Sequence, residues 1–377
     1  MKHRYRLLAL AIATGCVPSR SVVTPTPPTP IVPTPPTPPS PAPPTPPTPA
    51  PPTPIAELQY RGVNLNGADF GDCCPGIEGR NYGWPTNTEV DYFRGKGMDS
   101  FRIGFRWERL QPSLNGELDE VYGGKLAALV TYATAKGATV FLNPQNFARY
   151  NGAIIGSSAV PSVAFADFWR RLALRYKTNA RVVFGLVNEP HDMPTEQWLA
   201  AANPAIAAIR AVEAQNLISI PGNGWTGAMH WSSKWYGTPN SVVMLNVVDP
   251  ANRHIFEVHN YFGADGSGGA PECASVTIGT ERMKNVVVWA KANRKRIWLG
   301  EIGTPNTPTC AAAVKDLLEY VRANADVIAG WNWWSAGPRW RDEYPLSIQP
   351  RSDGSPRPQL AWLLPFLQPQ SLPCPAL

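Results

Sequence analysis

The sequence has no run of five basic residues, no C-x-x-C pair and no H-E-x-x-H. The first absence removes the electrostatic footprint of a nucleic-acid binder. The second argues against a structural zinc site, and the third against a zinc-protease centre. A phosphate-binding G-x-x-x-x-G-K-[ST] loop and a G-x-S-x-G elbow are missing too, so P-loop chemistry and a hydrolase serine nucleophile are not supported. No metal ligand set is expected. The formal charge of +6 exaggerates the basicity of the mature chain. Removing Lys2, Arg4 and Arg6 leaves 6 − 3 = +3. The apolar run at 7–13 is too short to span a membrane and, after that basic start, reads as an export signal.

Proline, by contrast, is abundant and concentrated. Residues 24–54 hold 18 prolines in 31 positions, interleaved with Thr, Ser and Ala. Such a tract has no apolar face to bury and few amide donors, so helix and sheet are excluded. It predicts an extended spacer reaching roughly 90–100 Å, at about 3 Å per residue. The domain reading is therefore an export signal at 1–23, a Pro/Thr-rich linker at 24–55 and one globular domain at 56–370. The signal ends near Ala13-Thr14-Gly15-Cys16. Small residues before a cysteine resemble a bacterial lipoprotein cleavage site, which makes Cys16 a candidate lipidation site and membrane tether. Ala13 stands where such sites more often carry Leu, so plain secretion is the alternative. Five other cysteines remain, Cys73, Cys74, Cys273, Cys310 and Cys374. Export favours disulfides. Cys273 with Cys310 is the preferred pair, tying two loops that follow neighbouring strands. Pairing of Cys374 with Cys73 or Cys74 stays open.

Beyond the linker, short apolar runs alternate with helical patterns. The runs are YRGVNL (60–65), SFRIGF (100–105), ATVFLN (138–143), VVFGLV (182–187), LISIP (217–221), IFEVHNY (255–261), IWLGEI (297–302) and VIAGWNWW (327–334). Helical spacing marks 89–97, 124–137, 164–177, 283–295 and 310–325. Eight strand–helix units predict an α/β fold of the (β/α)8 barrel type. An open doubly wound sheet gives the same alternation, but no nucleotide fingerprint occupies the first turn. The G-x-G-x-x-G at 222–227 follows the fifth strand, where Trp225 would crowd a pyrophosphate. Asp69-Phe70-Gly71 lacks the companion motifs of a kinase.

A barrel of this kind gathers its strand C-termini at one mouth. Arg102 lies on strand two; Asn143, Gln145 and Asn146 end strand three; Asn188 and Glu189 end strand four. His259 and Tyr261 end strand six, Glu301 ends strand seven, and Trp331, Trp333 and Trp334 lie on strand eight. Carboxylates for bond cleavage, amides for hydroxyls and indole faces for pyranose rings together describe a sugar site. Glu189 is the candidate acid and Glu301 the candidate nucleophile, with Arg102 and Tyr261 as donors that keep Glu301 ionised. Trp331 and Trp333 read as core. Of Trp225, Trp231 and Trp235, Trp225 is the one favoured for the cleft.

These residues resemble the family 5 glycoside hydrolases of clan A, in particular the endoglucanase branch, over nearly all of 58–365. The carriers are RGVNL, FRIGFRWERLQP, QNFARYNGAIIG, GLVNEPHDM, PGNGWTGA, HNYFGADGSGG, LGEIG and GWNWWSAGP. The resemblance implies a (β/α)8 barrel, no cofactor, and retaining attack on internal β-1,4-glucosidic bonds. It implies Glu189 as acid/base and Glu301 as nucleophile. It places Arg102, Asn188, His259, Tyr261 and Trp334 around the cleaved sugar; Gln145 and Asn146 at the end of strand three and Trp225 in the cleft are read from their positions as further substrate contacts. Similar enzymes also carry a bridge matching Cys273–Cys310. One departure stands out: where similar enzymes have a sugar-binding histidine, this chain has Gln145. An amide still donates and accepts, but without an imidazole's reach or titration. The expected partner is a β-glucan polysaccharide, met by a monomer that is secreted or tethered outside a bacterial cell. Another retaining β-glycanase, a mannanase or xyloglucanase, is the alternative enzyme, and a weakly active carbohydrate-binding barrel the alternative from another class.

Overall fold

The computed structural model describes residues 57–71 and 74–367. The export signal, Cys16, the Pro/Thr-rich tract, Cys73 and Cys374 lie outside the described residues. Eight parallel strands close into a barrel: β1 (Tyr60–Leu65), β2 (Ser100–Phe105), β3 (Thr139–Pro144), β4 (Val182–Gly185), β5 (Ile218–Pro221), β6 (His254–Tyr261), β7 (Ile297–Gly303) and β8 (Ile328–Ala336). Each pairs with its sequence neighbours, and β8 returns to β1. The near-continuous apolar runs follow from strands covered on both faces.

The helices are α1 (Asn87–Gly95), α2 (Trp107–Leu110), α3 (Glu120–Ala135), α4 (Ser162–Tyr176), α5 (Thr195–Ala211), α6 (Asn240–Val243), α7 (Ile278–Ala292), α8 (Pro308–Ala323) and α9 (Pro358–Leu367). Their starts are chemically marked. Thr86 and Glu89 form a capping box ahead of α1, and Thr307 caps α8, whose first residue is Pro308. The expectation of a helix after every strand fails after β5. There the chain carries two short 3-10 turns and the four-residue α6 before β6. Trp225 and Thr226 have positive φ, and Pro239 leads into α6, so that segment cannot sustain a long helix. After β4, α5 forms as the strand–helix alternation predicts even though Pro204 lies inside it; its alanines sustain the helix regardless.

The barrel interior has two tiers. Phe141, Val183, Ile255, Trp298 and Ala329 form an apolar plug, with Phe141 stacked on Trp298 at 3.9 Å between ring centres. Trp298 Nε1 donates to Ser219 Oγ (2.7 Å), which donates to Glu257 Oε2 (2.8 Å). That pair of bonds joins the plug to a polar tier. Along β6, Phe256 and Val258 pack into the main core around the barrel, whereas Ile255 belongs to the plug. Period-two alternation therefore aims Glu257, His259 and Tyr261 at the axis. Along β7 the same alternation would turn Glu301 outward. A register shift corrects it: Val258 pairs with Leu299 but His259 pairs with Glu301, so Gly300 and Glu301 together face one residue of β6. This bulge swings Glu301 inward.

Candidate active site

Arg102 is the hub of the mouth. Its side chain is 1% exposed, and Nη1 donates to Asn64 Oδ1 (2.9 Å) and Glu301 Oε1 (2.8 Å). Its Nη2 donates to Asn188 Oδ1 (2.7 Å) and lies 2.8 Å from Glu257 Oε1. Burial works against the guanidinium charge, but Glu257 and Glu301 raise its pKa above the ordinary value. Tyr261 Oη donates to Glu301 Oε2 at 2.5 Å. Both oxygens of Glu301 therefore receive a hydrogen bond, as the sequence reading expected of Arg102 and Tyr261.

His259 stands among three carboxylates. Its Nδ1 lies 2.6 Å from Glu189 Oε1 and 3.5 Å from Glu301 Oε2, and its Nε2 is 3.0 Å from Glu257 Oε1. Burial alone would lower the imidazole pKa; Glu301, then Glu189 and Glu257, overcome it and raise the value to about 9. Glu257 has the opposite balance. Burial pushes its carboxyl up, and Arg102 with His259 pull it below the ordinary range. For Glu301, burial dominates and raises the pKa, against the pull of His259 and Arg102 and with a further push from Glu189.

Ligating atoms of Glu189, His259 and Glu301 all lie within 4.8 Å of one another. That spacing could hold a cation, but Arg102 and a charged His259 already supply positive charge there. A second trio, Glu272, Cys273 and Cys310, has its two sulfurs joined as a disulfide. The bridge runs from the loop after β6 to the first turn of α8 rather than between two loops.

Glu189 sits in a tight turn after β4 with φ of 42°. His191 Nδ1 is 2.9 Å from the Glu189 carbonyl, and Trp225 N donates to Pro190 O at 3.0 Å. His191 also stacks on Trp225 with ring centres 4.5 Å apart. These contacts fix the acid's backbone in a strained left-handed conformation. Asn188 keeps a buried Nδ2 with no protein partner, a donor available to a ligand hydroxyl. Trp334 borders the mouth and donates to Tyr344 Oη at 2.9 Å. Gln145 receives a hydrogen bond at Oε1 from Asn143 Nδ2, which leaves its amide N–H groups as the end it can offer.

Asn146 departs from expectation. Its Oδ1 accepts from Trp107 N (2.8 Å) and its Nδ2 donates to Glu108 Oε2 (2.5 Å), so the amide ties the β3 loop to α2 instead of facing a substrate. Two contributors were missed in the sequence. Asn64 and Glu257 both hold Arg102, and Glu257 shares a β6 face with His259 and Tyr261, a period-two signal visible in IFEVHNY. Trp235 was also passed over: Trp231 is core, but Trp235 lines a cavity of about 320 Å³ together with Glu189, Trp225, His259 and Tyr261.

A closed (β/α)8 barrel whose mouth sets two glutamates across one histidine, ringed by amides and indoles, defines a class: the barrel hydrolases that work with paired carboxylates. The comparisons then fix the membership. The family model for cellulase, glycosyl hydrolase family 5, matches residues 56–337, and the chain belongs to that family. It is 39% identical over 293 residues to the endo-beta-1,4-glucanase B of Aspergillus niger, covering 78% of this chain and 85% of that one. Among solved structures, XacCel5A in complex with cellopentaose aligns at 42% identity with a TM-score of 0.81, covering 82% of this chain and 99% of that one. The endo-beta-1,4-glucanase Xac0029 of Xanthomonas axonopodis pv. citri gives 42% identity and a TM-score of 0.81, over 82% and 98% of the two chains.

Proposed function

We propose that the protein cleaves internal β-1,4-glucosidic bonds of β-glucans with retention, Glu301 acting as nucleophile and Glu189 as acid/base. The observation that carries this is the clustering of both carboxylates around His259, with ligating atoms within 4.8 Å. Retaining glycosidases hold their two carboxyl groups about 5–5.5 Å apart, whereas inverting ones need room for a water between them. Arg102 and Tyr261 donate to the two oxygens of Glu301, an arrangement that suits attack by that carboxylate.

In the first step a Glu301 oxygen attacks the anomeric carbon, the bond to the leaving sugar oxygen breaks, and that oxygen takes the proton of Glu189. The product is a glycosyl ester on Glu301. In the second step water attacks the same carbon, gives its proton to Glu189, and releases Glu301. Asn188, Gln145 and Trp334 are the groups placed to hold the sugar during both steps. The relatives' names support β-1,4-glucan as the substrate, and the disulfide supports action outside the cytoplasm. Whether Cys16 tethers the chain is read from its sequence alone; the mass of the mature N-terminus tests it.

The deciding assay follows reducing ends from carboxymethyl cellulose, mannan and xyloglucan side by side, with the first-formed anomer read by proton NMR. Cleavage of cellulose to the β-anomer is expected. Glu301→Gln should lower kcat by at least about 10⁴-fold while the fold persists. Near-normal turnover in that variant, or an α-anomer as first product, overturns the assignment.

A further inference from the structure

We infer that Arg149 is a positioning residue for the proton donor: its guanidinium pins the loop after β3 to the turn that carries Glu189, and so sets where that carboxyl stands. The inference rests on the proposed function, which gives Glu189 the proton. Three loops meet around this turn, and each holds backbone conformations that side chains rarely adopt. Phe147 and Ala148 after β3, Glu189 and Asp192 after β4, and Trp225 and Thr226 after β5 all have φ between 42° and 55°. Left-handed residues of this kind persist only where their surroundings over-determine them. The loops must therefore brace one another.

Arg149 joins the first two. It stands in a short antiparallel ribbon, where Arg149 and Tyr150 pair with Ile154 and Ala153. Its Nη1 donates to Phe147 O at 2.7 Å, within its own loop. Its Nη2 donates to His191 O at 3.3 Å and lies 3.4 Å from Asp192 Oδ2, both on the acid's turn. The other oxygen of Asp192 accepts from Tyr236 Oη at 2.7 Å, which brings in the loop after β5. His191 is wedged among the same loops, stacked on Trp225 and edge-on to Phe147 with ring centres 5.5 Å apart. A planar, forked cation can reach two carbonyls and a carboxylate together, whereas an ammonium is a single point. The loop after β3 is itself anchored from behind, because Glu108 accepts from Asn146 Nδ2 at 2.5 Å and from Asn151 N at 2.6 Å. Arg149 thus ties the acid's turn to a fixed base. Glu189 needs that tie more than Glu301 does. Arg102 and Tyr261 fix the Glu301 carboxylate, but the Glu189 side chain has one hydrogen-bond partner among the described residues, His259. Its placement therefore depends on its backbone, and a misplacement of about 1 Å costs on the order of 100-fold in rate.

The test separates a misplaced acid from a damaged protein, using the full chain. Cellopentaose needs its leaving sugar protonated; a dinitrophenyl β-cellotrioside expels a phenolate that departs without an acid. Arg149→Ala should lower kcat/KM for cellopentaose by about 30- to 100-fold and leave kcat/KM for the aryl substrate within about threefold. Glu189 is also the base of the second step, so kcat on the aryl substrate should fall, and a burst of about one equivalent of dinitrophenolate should precede the steady rate. Arg149→Lys keeps the charge without the fork and should show the same split, smaller, if the alanine variant fails to fold. Equal losses on both substrates, or an undiminished rate on cellopentaose, overturn the inference. Glu189→Gln sets the full scale of the split. If that variant loses both substrates equally, the assignment of Glu189 fails, and the role of Arg149 with it.

Discussion

Glu257 shows how much of this site lies beneath the reacting atoms. It neutralises Arg102 and holds the far nitrogen of His259, with its side chain 2% exposed. Glu257→Gln leaves two buried cations short of a counter-charge, a change that costs about 3–5 kcal/mol when one partner of a buried pair is removed. His259 loses one of the carboxylates that raise its pKa to about 9, so the alkaline limb of kcat/KM should move toward lower pH. A pH–rate profile of the variant checks this, and an unmoved limb would separate Glu257 from the histidine. At this scale the sequence was legible where a residue ends a strand and carries chemistry, as for Glu189, His259 and Glu301. It was not legible where neighbours choose the role. Gln145 and Asn146 are adjacent amides, but Trp107 N and Glu108 claim Asn146 for the scaffold. No spacing rule separates the two.

Elements were read more easily than their irregularities. YRGVNL and SFRIGF are strands over the full runs marked by apolar content, because both faces of each are buried. The bulge at Gly300 was invisible, since it is a property of how β7 pairs with β6 rather than of either segment. It explains why glycine is needed there: a Cβ at Gly300 would collide with the Glu257 carboxylate. Gly300→Ala should destabilise the fold by about 1–3 kcal/mol, as overpacking does, and reduce kcat by displacing the carboxylate that holds Arg102 and His259. Thermal melting and steady-state rates measure the two effects; a variant with normal melting and normal kcat would show that β7 relaxes freely. The bridge between Cys273 and Cys310, separated by 37 residues in sequence, ties the long loop after β6 to α8.

For the molecule as a whole, acid and base act on different parts of the barrel. Asp249 binds Arg210 through both oxygens and accepts from the Ala251 and Arg253 amides; burial opposes these bonds, but they lower its pKa to about 2. A lowered carboxyl contributes stability above its ordinary value near 4 that is lost as pH falls toward 2. His259 has the reverse sign. Its contribution is complete below about pH 6.5 and disappears as pH rises through about 9. The melting temperature should therefore decline from pH 6.5 to 9.5 and again below pH 4, with Asp249→Asn flattening the acid decline. A melting temperature unchanged between pH 6.5 and 9.5 would contradict the alkaline part. The apolar plug has a separate consequence. Phe141 and Trp298 stop the bore of the barrel, so the two glutamates are reached from the mouth and not along the axis. In the proposed mechanism the hydrolytic water therefore arrives through the mouth, by the space that the departing sugar has vacated. Under the proposed mechanism, a leaving sugar that lingers in the mouth would compete with that water, and its own hydroxyl would be the alternative acceptor for the sugar carried by Glu301.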